Sequence, residues 1–188
     1  MNETAAAHPD KQIQLWFQDE ARFGQQGTVC RVWAECGSRP RRIKQIGYRW
    51  LYLFGSVCPQ NGQTHACLLP WANTEVMNQY LQDFSTNLAA DVHALLVMDG
   101  AGWHHPKALS IPENVTVLLL PPYSPELNPP ELLWREMRQK HMSNLVYADE
   151  DELWAAVEAG WMALTADPAA IRKLADYPYI LSARTYLN

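Results

Sequence analysis

Two stretches constrain the fold of this chain more than any others. Ala94 to Met98 is apolar without a break and stops at Asp99-Gly100, while Val115 to Leu120, apolar but for Thr116, stops at Pro121-Pro122. Uninterrupted apolar strands of this length are usually buried on both faces, the situation of parallel strands covered by helices on either side. Parallel neighbours need crossover connections, and these are right-handed.

The remaining segments supply what such a sheet needs. Ile13, Leu15 and Phe17 alternate with Gln14, Trp16 and Gln18, which predicts a strand with one covered face, ending at Asp19 on that face. Strand-like runs follow at Cys30 to Glu35 and at Trp50 to Cys58, separated by a segment broken by Gly37, Pro40 and Gly47. Three consecutive strands predict an antiparallel meander. After Asn73 and Thr74, either of which suits a cap, Val76, Met77, Tyr80, Leu81, Phe84 and Leu88 recur at helical spacing. A short helix is expected between the two apolar strands. Asn128-Pro129-Pro130-Glu131 reads as a helix start with Asn128 as cap and Glu131 at the third position, the helix running to about Met142. Another follows Asp149, with Leu153, Val157, Trp161 and Leu164 on one face, and a shorter one follows Asp167-Pro168. The expected class is α/β: a mixed five-stranded sheet, meander plus parallel strands, with helices on both faces. Its element order is that of ribonuclease H-like domains.

All 188 residues fit a single domain, its core over about residues 12–142 and its C-terminal helices over about 149–176. With 48% hydrophobic and 19% charged residues, the composition excludes a disordered chain. No apolar run approaches the roughly 18 residues of a membrane span, and no leader pattern opens the chain, so a cytoplasmic protein is expected. Cys30, Cys36, Cys58 and Cys67 form no CxxC pair and have no His at zinc-ribbon spacing, so they are expected to be reduced thiols. A net charge of −5 argues against gripping nucleic acid with the whole surface. Arg39, Arg41, Arg42, Lys44 and Arg49, with no acid among them, nevertheless form one cationic segment suited to phosphate.

Asp19 and Asp99 end strands where burial begins, and a partly desolvated carboxylate is costly without a cation or hydrogen-bond donors. Functional groups gather at the carboxyl ends of strands in open α/β sheets. With Glu131 projecting from a helix start, the three acids would offer hard oxygen ligands for Mg²⁺ or Mn²⁺, two of which together can cleave a phosphodiester. Each acid also has an ordinary reading. The aspartates suit turns, and Glu131 suits a capping box or a pair with Arg135. Only the constellation favours metal chemistry.

Three segments carry a resemblance to a known family. They are Phe17-Gln18-Asp19-Glu20 with Arg22-Phe23-Gly24, then Val97-Met98-Asp99-Gly100-Ala101-Gly102-Trp103-His104, and then Leu120-Pro121-Pro122-Tyr123-Ser124-Pro125-Glu126-Leu127-Asn128-Pro129-Pro130-Glu131 with Trp134. Together they resemble the mariner-like DDE transposases, in particular the bacterial insertion-sequence branch. The resemblance implies that Asp19, Asp99 and Glu131 are the catalytic and metal-ligating acids for two Mg²⁺ or Mn²⁺ ions. Glu20 and Glu126 are set aside, the first by strand alternation and the second because it precedes the helix.

The Asp99 to Glu131 interval is slightly short for the family, and Gly100 stands where the pattern commonly has Asn. Members also carry helix-turn-helix modules ahead of the catalytic domain, which are expected to be absent here. His104, Arg135, Arg138 and the cationic segment Arg39 to Arg49 are the candidate DNA contacts, each with a solvated or merely structural alternative. Trp103 and Trp134 suit base stacking or, for Trp134 above all, core packing. The partners implied are transposon ends, target DNA, an upstream DNA-binding region and a second copy of the chain, in a nucleoid-associated setting. Hydrolysis at element ends followed by strand transfer is the expected function. Another ribonuclease H-like nuclease, such as a resolvase or RNA hydrolase, is the first rival, and a non-catalytic remnant that regulates transposase is the second.

Overall fold

The structure, a computed structural model, describes residues 2–100, 109–122, 124–177 and 179–180. Five strands, β1 (Gln12–Gly24), β2 (Trp50–Val57), β3 (Thr64–Leu69), β4 (Val92–Met98) and β5 (Val115–Leu119), form one sheet in the order β3-β2-β1-β4-β5. Pairing of β3 with β2 and of β2 with β1 is antiparallel, and pairing of β1 with β4 and of β4 with β5 is parallel. This is the mixed sheet expected from the sequence.

Its helices are α1 (Asn2–Ala7), α2 (Thr74–Asn87), α3 (Pro130–Glu136), α4 (Glu150–Thr165) and α5 (Pro168–Leu174). Helix α2 starts where Asn73 accepts the Val76 N–H at 2.9 Å, and α4 starts where Asp149 accepts the Glu152 N–H at 2.9 Å. A capping side chain satisfies a backbone donor that the first helical turn would otherwise leave unpaired.

Strand parity divides the core between the two faces of the sheet. Leu15, Phe17, Leu95 and Val97 face Leu133, Trp134, Leu153, Val157 and Trp161 of α3 and α4. Trp16, Ala94, Leu96 and Met98 face Val76, Met77, Tyr80, Leu81 and Phe84 of α2. Each buried Val, Leu, Met or Phe among them contributes about 1.5–3 kcal/mol relative to exposure.

Four expectations need correction. Residues Cys30 to Glu35 are not a strand: they pair with no strand among the described residues and run through an exposed excursion joining β1 to β2. The third meander strand is Thr64–Leu69, half-buried at every position and so without the clean alternation that would announce it. Strand β1 is covered on both faces, Trp16 being 4% and Gln18 0% exposed, because α2 packs on the side expected to be open. As the edge strand, β5 leaves Leu118 and Leu119 exposed instead of buried. The short helix expected between β4 and β5 falls mostly outside the described residues.

The basic excursion is tied down near both ends. Asn144, at a left-handed φ of 59° that Asn tolerates, donates its N–H to Thr28 at 2.9 Å and accepts the Cys30 N–H at 3.2 Å. Farther along, the Gln45 amide donates to the Tyr147 carbonyl at 2.6 Å and accepts the Tyr147 N–H at 2.9 Å. Arg49 pairs with Glu150 at 2.7 Å.

Gly55 of β2 lies directly across from Asp19, and a Cβ there would stand 2.5 Å from the Trp134 ring and 3.4 Å from that of Trp161. The missing side chain leaves the space the Trp134 ring occupies. Gly55→Ala is therefore expected to destabilise the fold by about 1–3 kcal/mol. A urea midpoint unchanged from wild type would show that the ring moves aside without cost.

Candidate active site

Asp19 and Asp99 meet through strand register. The parallel pairing of β1 with β4 ends at Phe17 opposite Val97, so two residues further on the same alignment sets Asp19 against Asp99. Positions 15, 17 and 19 of β1 share a face with 95, 97 and 99 of β4, the face on which α3 packs. Asp19 does not end its strand as expected. β1 runs on to Gly24 paired with β2, and only the partnership with β4 stops here.

Helix α3 brings the third acid. Glu131 lies in its first turn and is exposed; its backbone N–H donates to the Asn128 carbonyl at 3.1 Å, while its carboxylate makes no hydrogen bond or ion pair among the described residues. Asn128 is not the side-chain cap it was expected to be. Pro129 holds the cap position, no side chain caps the helix, and Asn128 turns its amide toward the Gln18 carbonyl at 3.5 Å, at the limit of a hydrogen bond. The capping-box role thus disappears, and Glu131 is not engaged by its own helix end.

Asp19, Asp99 and Glu131 line one cleft of about 420 Å³, together with Gly100, the Leu120-Pro121-Pro122 turn, Ser124, Pro125 and Asn128. The acids stand around this space in a looser arrangement than the three-donor group His65, Cys67 and Asp83, whose ligand atoms all lie within 4.8 Å of one another. Asp19, only 8% exposed, is the buried member; Asp99 is half-buried. Burial, then the charges of Glu20 and Glu131, push the Asp19 carboxyl up to about 7. The Trp134 indole N–H, donated to Oδ2 at 2.9 Å, and the Glu20 N–H, donated to Oδ1 at 2.9 Å, oppose that rise. One donor per oxygen fixes the carboxylate's plane and leaves acceptor capacity on both oxygens.

Trp134 therefore belongs to the core, at 1% exposure, and is also the positioning residue for Asp19. Its place three residues after Glu131, one turn along the same helix, was the signal available in the sequence. Asn128 was also missed as a site residue. It is 3% exposed, and its Oδ1 has no hydrogen-bond partner among the described residues, a costly state for a buried acceptor.

The expected DNA contacts are placed unevenly. Arg39, Arg41, Arg42 and Lys44 are exposed on the excursion between β1 and β2, whereas Arg49 is held by Glu150. None of these five lines the acid cleft. Arg135 is exposed, while Arg138 lies with its guanidinium 5.5 Å from the Phe23 ring, in a stretch Met137–His141 wound as a π turn. Glu136 pairs with Lys140 at 2.5 Å and with neither arginine. His104 and Trp103 lie outside the described residues.

Residues 14–154 match the family model described as DDE superfamily endonuclease, a span that contains all three acids. An uncharacterized protein of Sinorhizobium fredii, y4pE/y4sA, is 38% identical over 125 residues, covering 66% of this chain and 93% of that protein. Among solved structures, the mariner Mos1 paired end complex with Mg is similar at a TM-score of 0.62 and 17% identity, over 86% of this chain and 52% of that one. The Mos1 mariner paired end complex with Mn is similar at 0.58 and 15% identity, over 94% and 60%. These likenesses show a shared fold, and the chain spans between about half and three fifths of the Mos1 chains it matches.

The Asp19 carboxyl makes stability depend on pH. Its folded pKa, about 7, lies above the ordinary 3.8, so the folded state holds a proton that the unfolded state has lost between those values. The stabilisation is complete below 3.8 and is lost as pH rises through about 7. Metal-free protein is expected to lose up to about 4 kcal/mol of unfolding free energy across that window. Asp19→Asn should flatten the slope in a pH series of urea denaturation. An equal slope in the variant would place the titration elsewhere.

Proposed function

This chain belongs to the DDE superfamily of endonucleases, and from that premise we propose that it is the metal-dependent catalytic domain of a DNA transposase. Its reaction would be phosphodiester hydrolysis at the ends of a mobile element, followed by transfer of the freed 3′-hydroxyl end into target DNA. Asp19 and Asp99 would jointly hold two Mg²⁺ or Mn²⁺ ions, and Glu131 would complete one of the two sites. The observation that carries this reading is the convergence of three acids, from β1, the end of β4 and α3, on one cleft.

The residues present suit such ions. An all-oxygen donor set is the preference of hard divalent cations. The raised Asp19 carboxyl, crowded by Glu20 and Glu131, is negative charge gathered where water is scarce, a state that a cation relieves. The unpartnered Asn128 Oδ1 in the cleft lining adds a neutral acceptor suited to an ion or its hydration water. Bound there, the ions supply an activated water and neutralise charge on the departing oxygen.

The protein's own part is orientation. Trp134 and the Glu20 N–H set the plane of Asp19, the register of β1 against β4 sets the approach of Asp99, and α3 presents Glu131 from the other wall. No side-chain nucleophile is needed, since the attacking group is water or a 3′-hydroxyl. DNA would be held by Arg39, Arg41, Arg42 and Lys44 on the excursion and by Arg135 on α3. Arg49 and Arg138 act more through their contacts with Glu150 and Phe23.

Asp99→Asn and Glu131→Gln are each expected to lower Mn²⁺-dependent nicking of supercoiled DNA by more than about 100-fold while leaving the fold unchanged by circular dichroism. Nicking at the wild-type rate in either variant would remove that acid from the mechanism. Preferential cleavage of branched DNA or of an RNA:DNA hybrid over a duplex with element ends would instead indicate a different ribonuclease H-like nuclease.

Replacing Arg39, Arg41, Arg42 and Lys44 together by Ala should weaken DNA binding without base preference. The slope of log affinity against log salt should become shallower by about 0.9 for each phosphate that is no longer neutralised. An unchanged slope would mean that the excursion does not touch the backbone.

A further inference from the structure

A second group of donors gathers on the opposite face of the sheet. His65 and Cys67 stand two residues apart on β3, so the strand's period sends both side chains to the face covered by α2, where Asp83 meets them. His65 Nε2 lies 3.1 Å from Asp83 Oδ2, Cys67 Sγ lies 3.3 Å from that same oxygen, and Sγ lies 3.8 Å from Nε2. A zinc tetrahedron with ordinary bond lengths has edges of about 3.4 Å between nitrogen and oxygen and about 3.6 Å from sulfur to either. Each observed separation falls within a few tenths of an ångström of those edges.

The way the atoms converge separates a ligand set from a catalytic relay. In a Cys-His-Asp relay the thiol and the carboxylate use opposite nitrogens of the imidazole, so that the ring passes a proton between them. Here both the sulfur and the carboxylate oxygen face the same Nε2, and three donors surround one point. The Tyr80 and Phe84 rings, 5.5 Å and 5.6 Å from His65, fix its orientation. Asp83, 53% exposed, leaves a path for an ion and room for solvent.

We propose that His65, Cys67 and Asp83 bind one Zn²⁺ ion, with solvent as fourth ligand, and that the ion clasps edge strand β3 to α2. A thiolate and an imidazole select a borderline-soft metal, whereas the oxygen-only cleft on the other face favours Mg²⁺ or Mn²⁺. The two sites therefore sort metals by softness, and neither depends on the other. The sequence shows no CxxC pair to announce the site, because its spacing is that of a strand and its third donor comes from a helix.

The test titrates chelator-stripped protein with Co²⁺ in the presence of excess Mg²⁺, then displaces the Co²⁺ with Zn²⁺. The expected result is one equivalent bound, a sulfur-to-cobalt charge-transfer band with intense tetrahedral d–d absorption, and a higher Tm with Zn²⁺. The acid cleft has no sulfur and cannot produce that band. Cys67→Ser should abolish it, Asp83→Asn should weaken Zn²⁺ binding at least about tenfold, and Cys36→Ser, at an exposed cysteine outside the group, should change neither. Asp83→Asn, a near-isosteric change at an exposed side chain, gives the same reading if Cys67→Ser fails to fold. Absence of the charge-transfer band in wild type, or its survival in Cys67→Ser, would leave the three side chains as a hydrogen-bonded cluster and overturn the proposal.

Discussion

The site depends on a single hydrogen bond, from the Trp134 indole to the buried carboxylate of Asp19. A carboxyl this deep in the sheet resists ionising, and the two N–H groups that reach it are what keep the charged form within range of neutral pH. The same bond fixes α3 against β1, so the helix that carries Glu131 and the strand that carries Asp19 are positioned by one contact. Packing supports it on every side. Trp161 lies 5.7 Å from Trp134, ring centroid to ring centroid, and Gly55 leaves space beneath the ring. Binding energy, helix placement and the protonation state of the acid are therefore properties of one cluster, and none of them can be tuned alone.

How much of this was legible in the sequence follows from what each element depends on. Helix α2 was readable because periodicity and cap coincide in one window: Asn73 caps, and Val76, Met77, Tyr80, Leu81 and Phe84 are buried. The apolar run of β4 was readable because, past His93, a strand buried on both faces carries no polar position from Ala94 to Met98 to disguise it. The three acids that line the cleft stood out by the motif segments around them and, for Asp99 and Glu131, by a strand end and a helix start; Asp19 was expected to end a strand that runs on to Gly24. β3 was not, because a strand half-buried at each position carries no alternation. Nor was the Asn128 side chain, whose amide points to Gln18 across the fold instead of capping its own helix, a choice made by tertiary packing.

The sheet also separates two kinds of chemistry. Odd-numbered positions of β1 and β4 pack on α3 and α4 and end in the two aspartates of the cleft, while even-numbered ones build the hydrophobic bed of α2. Parity along two adjacent strands thus decides which face can carry charge. The His65, Cys67 and Asp83 group sits on the α2 side at the sheet's edge, two strands away from β1. That strand ladder lies between a soft donor set and a hard one.

The paired tethers of the excursion, Thr28 and Cys30 to Asn144 and Gln45 to Tyr147, fasten the chain just before and just after its most basic stretch. Fixing both ends uncouples what lies between them from the rest of the molecule. Doubling the length of such a loop adds only about 0.6 kcal/mol of closure cost. This stretch can lengthen, shorten or change its charges over evolutionary time while the cleft stays as it is, so the surface offered to a partner can be redrawn without reopening the design of the sheet.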